Sequence, residues 1–272
     1  MVELQGLYKM KKKNYKILNK KFSRPITCLT AYSPAVAKIL DGLVDIILVG
    51  DSLGTTLYGM QNSRGVTLEM MKRHGLAVTK NVKKSITMID MPFNTYKNKI
   101  QALKNARNLL EFTKSKILKI EINKKNLSIV RYLVEKKFNI VAHIGVTPQS
   151  YTNFNKIKAV GKVKEEGENL LYVAKELEKA GVLALLLECI NQKTAKNITN
   201  SVSIPTIGIG SSKYCDGQVL VFDDLINFDS TDFMPKFVKK YADLNKISKS
   251  AVKKFCKEVK QKKFPNKRHS YN

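Results

Sequence analysis

Eight compact apolar runs, most of them separated by stretches of helical spacing, constrain the fold more than any other feature of this sequence. They are Pro25–Ala31, Asp45–Gly50, Ser85–Asp90, Lys116–Glu121, Asn139–Ile144, Leu183–Glu188, Ile204–Ile209 and Gly217–Phe222. Each is dense in Ile, Val or Leu rather than alternating with polar residues, the pattern of a parallel strand covered on both faces. Helices are expected between them at Ala35–Gly42, Leu68–Asn81, Lys99–Thr113, Asn126–Lys137, Glu165–Ala180 and Thr194–Ser201. Thr67 is placed to cap one start and Gly181 to end another helix. The seventh-to-eighth connection is too short for a full helix, and two basic helices, Lys236–Asp243 and Ser248–Lys262, are expected after Pro235. This alternation over 272 residues predicts an α/β fold, a (β/α)8 TIM barrel with extra C-terminal helices, in one domain spanning 1–272. A doubly wound open sheet is the alternative, but no GxGxxG follows the first strand.

The chain is strongly basic, with 49 Lys+Arg against 22 Asp+Glu and a formal net charge of +27. Such a balance raises nucleic acid or an anionic membrane as partners. Its distribution argues otherwise. Residues 1–24 and 236–268 form basic arms that supply +18 of the total, and only six basic residues are Arg, the better phosphate partner. No RNA- or DNA-binding motif accompanies them, so the charge reads as a solvated, Lys-rich surface. The apolar runs Ile46–Val49 and Val182–Leu187 fall far short of the roughly 20 residues of a membrane span. The start, Met1-Val2-Glu3-Leu4, shows no secretory signal, and Cys28, Cys189, Cys215 and Cys256 form no CxxC pair. A cytoplasmic location is expected, with no disulfide framework and no zinc site.

Functional side chains of a parallel barrel gather at the C-terminal ends of its strands. There this chain carries Asp51, Ser52, Asp90, Lys119, Glu121, His143 and Glu188. Lys119 and Glu121, two apart on a strand, face the same side. Three acids meeting across a barrel mouth offer oxygen ligands to a hard cation such as Mg²⁺. Each residue also has a plainer reading: an Asp turn or cap, a Lys119–Glu121 ion pair, a satisfied core histidine. Glu188 closes an apolar run, and a buried carboxylate needs a partner or a purpose; desolvation there favours a general base. Gly208-Ile209-Gly210 reads equally as a ligand loop or a simple turn, and Cys189 as an inert buried thiol.

The strings VDIILVGDSLG at 44–54, IDMPFNTY at 89–96, LKIE at 118–121, HIGVTPQS at 143–150, LLLEC at 185–189 and CDGQVLVFDD at 215–224 carry a specific resemblance. With ITCLTAY at 26–32, VTLEMM at 66–71, IPTIGIG at 204–210, MPKFVKKYA at 234–242 and FPNKRHSY at 264–271, it extends along nearly the whole chain. In these strings the chain resembles the 3-methyl-2-oxobutanoate hydroxymethyltransferase (ketopantoate hydroxymethyltransferase) family. The resemblance implies transfer of a hydroxymethyl group from 5,10-methylenetetrahydrofolate to 3-methyl-2-oxobutanoate, giving 2-dehydropantoate for pantothenate biosynthesis. It implies Mg²⁺ surrounded by Asp51, Asp90 and Glu121, and an oxoacid contacted by Asp51, Ser52, Asp90 and Lys119. Glu188 falls on the family's proton acceptor, and a homo-oligomer, often a decamer, is implied.

The chain departs from the family's pattern at Ser33, where an acid is usual, and at Ile122-Asn123 and Ser211-Ser212, where glycines are. The usual GYKVQGR string survives only as Lys158-Ala159-Val160-Gly161-Lys162. Two rival functions are a Mg²⁺-dependent C–C lyase or mutase of the phosphoenolpyruvate-mutase type and an inactive basic barrel that binds nucleic acid.

Overall fold

The computed structural model describes Leu18 and residues 24–122, 126–152, 157–228 and 234–271; most of the basic N-terminal arm lies outside the described residues. Eight parallel strands close into a barrel in sequence order. They are β1 (Ile26–Thr30), β2 (Ile46–Val49), β3 (Ile86–Asp90), β4 (Ile117–Glu121), β5 (Asn139–Gly145), β6 (Ala184–Glu188), β7 (Thr206–Ile209) and β8 (Gly217–Leu220). The helices are α1 (Pro34–Leu40), α2 (Leu53–Tyr58), α3 (Leu68–Thr79), α4 (Lys99–Thr113), α5 (Leu127–Glu135), α6 (Lys164–Ala180), α7 (Gln192–Ser201), α8 (Phe222–Leu225) and α9 (Leu244–Lys260). The expected TIM barrel is therefore present. No helix of the described residues is long and apolar enough to cross a membrane.

Strand parity divides the interior in two. Ile26, Cys28, Ile46, Leu48, Met88, Ile117, Val141, Ala184, Leu186, Ile207 and Val219 pack together inside the barrel. Their neighbours Ile47, Ile89, Leu118, Ile120, Ile140 and Leu185 face the helices in a second buried cluster. Leu18 joins the inner cluster at 1% exposure. Burying a side chain of its size contributes about 2 kcal/mol. Continuing the inward parity along β3, β4, β5 and β6 brings Asp90, Lys119, Glu121, His143 and Glu188 to the opposite end.

The structure differs from expectation behind β2 and after β8. Helix α2 follows Asp51-Ser52 directly, in a short stretch with one Gly and two Thr that carries little intrinsic helical signal. The eighth strand stops at Leu220, because Phe222 already begins α8. Residues 236–243, expected as a basic helix, form none. Their neighbourhood spends its amides on α8 instead: Tyr241 N–H donates to the Leu225 carbonyl and Leu244 N–H to that of Ile226. The final helix starts at Leu244, four residues before the expected Ser248, because the Asp243 side chain caps it by accepting from Lys246 N–H. As expected, Thr67 caps α3, accepting from Met70 N–H, and no helix lies between β7 and β8.

Candidate active site

A cavity of about 1810 Å³ opens at the C-terminal end of the barrel, and Asp51, Ser52, Asp90, Lys119, Glu121 and Glu188 all line it. Parallel pairing sets their neighbours: Asp90 lies in register with Lys119, Glu121 with His143, and Gly145 with Glu188. Strand parity and register together bring five polar side chains from four strands to one mouth.

Lys119 pairs with Asp90 rather than with Glu121, at 2.9 Å between Nζ and Oδ1. Both are buried. Burial alone would depress the ammonium, but Asp90, Asp51 and Glu121 override it and hold Lys119 charged. The acids respond in the opposite sense. Burial, opposed by Lys119 and reinforced by Asp51, pushes the Asp90 carboxyl up to about 7. Burial and then Asp51 push Glu121 well above the usual carboxylate range. Asp51 N–H donates to Asp90 Oδ2 at 3.0 Å.

His143 is a core histidine with polar neighbours. Burial and then Lys119 lower its proton affinity, so the ring is neutral. Nδ1 lies 3.5 Å from the Lys119 ammonium, which can only donate, so Nδ1 is the acceptor and the proton sits on Nε2. That nitrogen lies 3.3 Å from Glu188 Oε2, yet it makes no hydrogen bond to it or to any other described residue. Glu188 itself is more open than its apolar run suggests, with 18% side-chain exposure. It stands at the edge of the cavity while its neighbours are sealed beneath it.

Ser52 begins α2 without capping it; its Oγ is 2.7 Å from the Tyr32 hydroxyl. Cys189 is half-buried, and burial followed by Glu188 pushes its thiol up to about 12, in keeping with an inert group. Gly208 and Ile209 end β7 and Gly210 follows it; Ile209 and Gly210 line the cavity, and a Cβ on Gly210 would stand 2.5 Å from the Phe237 ring. Of the departures, Ser33 caps α1, Ile122 is core and Ser211 Oγ donates to the Ile190 carbonyl, while Asn123 lies outside the described residues. Gln149, Tyr96 and Arg64 also belong to the site and were not singled out from sequence. Gln149 Nε2 donates to Asp51 Oδ2 at 2.7 Å, and Tyr96 OH donates to Gln149 Oε1 at 2.5 Å.

The donor set suits a hard divalent cation. The formal charges of Asp51, Asp90, Glu121 and Lys119 sum to −2. Asp90 Oδ1, sealed from solvent, meets Lys119 too obliquely for a hydrogen bond and has no other hydrogen-bond partner among the described residues. No three His, Cys, Asp or Glu side chains among the described residues gather into a complete metal cage. Mg²⁺ does not require one, since it binds through one or two carboxylates and completes its shell with water and substrate.

Comparison with known proteins places this site in context. The family model of ketopantoate hydroxymethyltransferase matches residues 11–267. The 3-methyl-2-oxobutanoate hydroxymethyltransferase of Pelagibacter ubique (strain HTCC1062) is 45% identical over 262 residues, covering 96% of this chain and 100% of the relative. That of Rhizobium rhizogenes (strain K84 / ATCC BAA-868) is 42% identical over 252 residues, 92% of each chain. Among solved structures, 2,3-dimethylmalate lyase superimposes with a TM-score of 0.59 at 12% identity, over 94% of this chain and 90% of that one. Phosphonopyruvate hydrolase, in complex with oxalate and Mg²⁺, gives 0.58 at 11% identity, over 94% and 92%. At such identities the structural likeness speaks for the barrel alone, whereas the sequence relatives cover 96% and 92% of the chain. The chain belongs to the ketopantoate hydroxymethyltransferase family.

Proposed function

We propose that this protein transfers a hydroxymethyl group from 5,10-methylenetetrahydrofolate to 3-methyl-2-oxobutanoate, forming 2-dehydropantoate for pantothenate biosynthesis. The observation that carries the mechanism is the order of groups around one cavity: an accessible Glu188 beside a neutral His143, above a charged Lys119 among buried carboxylates. Asp51, Asp90 and Glu121 would hold Mg²⁺, directly or through water, and the bound cation would polarise the oxoacid carbonyl as a Lewis acid. Ser52 and Lys119 line the same cavity, where a hydroxyl and an ammonium meet an α-oxo carboxylate.

Glu188 removes the proton from C3 of the oxoacid, and the C–H electron pair moves into the new C2–C3 double bond of the enolate. Lys119 faces the negative charge that develops on the enolate oxygen. His143 stands beside the base, with Nε2 3.3 Å from Glu188 Oε2. C3 then forms a bond to the methylene carbon of the folate; overall one water supplies the hydroxyl oxygen, both carbon–nitrogen bonds of that methylene break, and the C3 proton held by Glu188 and one proton of the water end on the two nitrogens of the departing tetrahydrofolate. The test is turnover of 3-methyl-2-oxobutanoate with methylenetetrahydrofolate and Mg²⁺. Formation of 2-dehydropantoate supports the reading, and its absence from folded protein overturns it. Folate-independent cleavage would instead identify a C–C lyase, and tight, steeply salt-dependent RNA binding without turnover would identify the basic barrel.

The protein acts in the cytoplasm as a homo-oligomer in this reading. Its four cysteines are free, as in a reducing compartment. Helix α9 buries none of its residues and exposes Ile247, Val252 and Phe255, a face suited to subunit packing. Sedimentation as a monomer at micromolar concentration would overturn the oligomer.

A further inference from the structure

Gln149 is the polar residue whose hydrogen bonds span most of the mouth. It lies on the short 3₁₀ turn Pro148–Ser150 after β5, and only 4% of it is exposed. Its amide nitrogen donates to Asp51 Oδ2 at 2.7 Å and to the Met91 carbonyl at 3.1 Å. Its backbone N–H donates to Glu121 Oε2 at 3.1 Å, and its amide oxygen accepts from Tyr96 OH. Arg64, lying 3.9 Å over the Phe93 ring, donates to its backbone carbonyl at 3.0 Å. One residue therefore ties together chain that follows β2, β3, β4 and β5.

Carboxylate and carbonyl oxygens only accept, so both amide hydrogens are committed and the remaining oxygen must take the Tyr96 proton. A flipped amide would set oxygen against Asp51 and Met91, and Tyr96 prevents that reversal. Neutrality matters as much as direction. A Lys or Arg could also donate to Asp51 and Glu121, but it would cancel part of the −2 that a divalent cation needs. An amide supplies the hydrogens and leaves the charge in place.

We propose that Gln149 is a positioning residue that fixes Asp51 and Glu121 for the cation and the oxoacid, with Tyr96 setting the direction of its amide. This rests on the reading of the mouth as a cation-dependent oxoacid site. Partners of metal ligands typically carry 10- to 100-fold in affinity or activity. None of the Gln149 hydrogen bonds among the described residues reaches Glu188, so its effect falls on binding rather than on proton removal.

The test compares wild type, Gln149→Met and Tyr96→Phe by Mn²⁺ titration in electron paramagnetic resonance, with and without 3-methyl-2-oxobutanoate, alongside kcat and KM. Gln149→Met is expected to raise the Mn²⁺ Kd and the oxoacid KM by about 10- to 100-fold, with kcat within about threefold. Tyr96→Phe, which removes one hydroxyl and keeps the ring, is expected to raise both several-fold, and it serves if Gln149→Met does not fold. Folded Gln149→Met with Kd and KM within twofold of wild type overturns the proposal. So does a fall in kcat with both unchanged, which would place Gln149 in the chemical step. Inactive wild type would overturn the functional reading, an outcome separate from an active wild type indifferent to Gln149.

Discussion

Replacement of Gly145 by Ala tests how β5 and β6 deliver Glu188 to the cavity. Gly145 ends β5 opposite Glu188, and Val146 N–H donates to the Glu188 carbonyl at 2.9 Å. Its φ is +103°, and a Cβ there would lie 2.3 Å from that carbonyl oxygen and 2.6 Å from Ile190 Cγ1. Ile190 is 1% exposed and cannot swing aside. Three costs follow. The backbone angle lies beyond the left-handed well that an alanine tolerates, about 1–3 kcal/mol. Overpacking against a fixed neighbour adds about 1–3 kcal/mol. Displacing the Glu188 carbonyl weakens one inter-strand hydrogen bond, about 1 kcal/mol.

The expected destabilisation is about 4 kcal/mol, or roughly 10 °C in Tm for a chain of this size. Gly59→Ala is the control, because Gly59 also has a positive φ, +61°, but a Cβ there meets nothing within 4 Å. It is expected to cost only about 1 kcal/mol, the conformational part alone. Urea unfolding of both variants measures the difference. Relief of the clash also moves Glu188 by a sizeable fraction of an ångström, so kcat for Gly145→Ala is expected to fall up to about 100-fold. A Gly145→Ala cost within 1 kcal/mol of that of Gly59→Ala would refute the steric reasoning. Normal kcat in a destabilised protein would refute the link to Glu188.

Three further outcomes are expected. Glu188→Gln keeps the shape of the side chain and removes the base, so exchange of the oxoacid C3 proton with deuterated water falls at least about 100-fold while Mg²⁺-dependent binding persists; wild-type exchange would assign the base elsewhere. Asp90→Ala removes one of the proposed cation ligands, so calorimetry should show Mg²⁺-dependent oxoacid binding at least about 10-fold weaker, and unchanged binding would remove Asp90 from that role. Because the surface is basic and both substrates are anionic, added salt is expected to lower kcat/KM without changing kcat; insensitivity would leave the charge without a role in capture.

The barrel was legible in the sequence because most of its strands are covered on both faces and read as compact apolar runs, three of which end in an acid: Asp90, Glu121 and Glu188. Parity then placed Lys119 and Glu121 on one side of β4, correctly. Their pairing was not legible, since it depends on which strand lies alongside: the register that sets Asp90 against Lys119 makes that the ion pair. Residues 236–243 look helical by composition, yet their environment is decided by carbonyls at the end of α8 that no local pattern reveals. Gln149 escaped notice for the same reason. Its partners Asp51 and Glu121 lie 98 and 28 positions away, and an amide in a turn carries no periodicity of its own.

The sign of the mouth is opposite to that of the chain, and this contrast explains why the site holds its shape yet remains chemically unfinished. A chain of +27 could have neutralised Asp51, Asp90 and Glu121 with its abundant lysines, but among the described residues Lys119 alone lies buried beside them. Among the described residues, the hydrogen bonds to the three acids come from neutral groups: the Gln149 amide, the Gln149 backbone and the Asp51 backbone. Neutral donors fix where carboxylate oxygens point, at about 1 kcal/mol each, without cancelling their charge. Geometry is thereby set by the protein and charge is left for a ligand to balance. A divalent cation matches the formal −2 of the ionised set and would favour that ionised form, and an oxoacid that chelates it brings the reacting carbon under Glu188, whose partial exposure lets substrate reach it. Filling the site with lysines would have stabilised the fold and closed it to the cation on which the proposed chemistry rests.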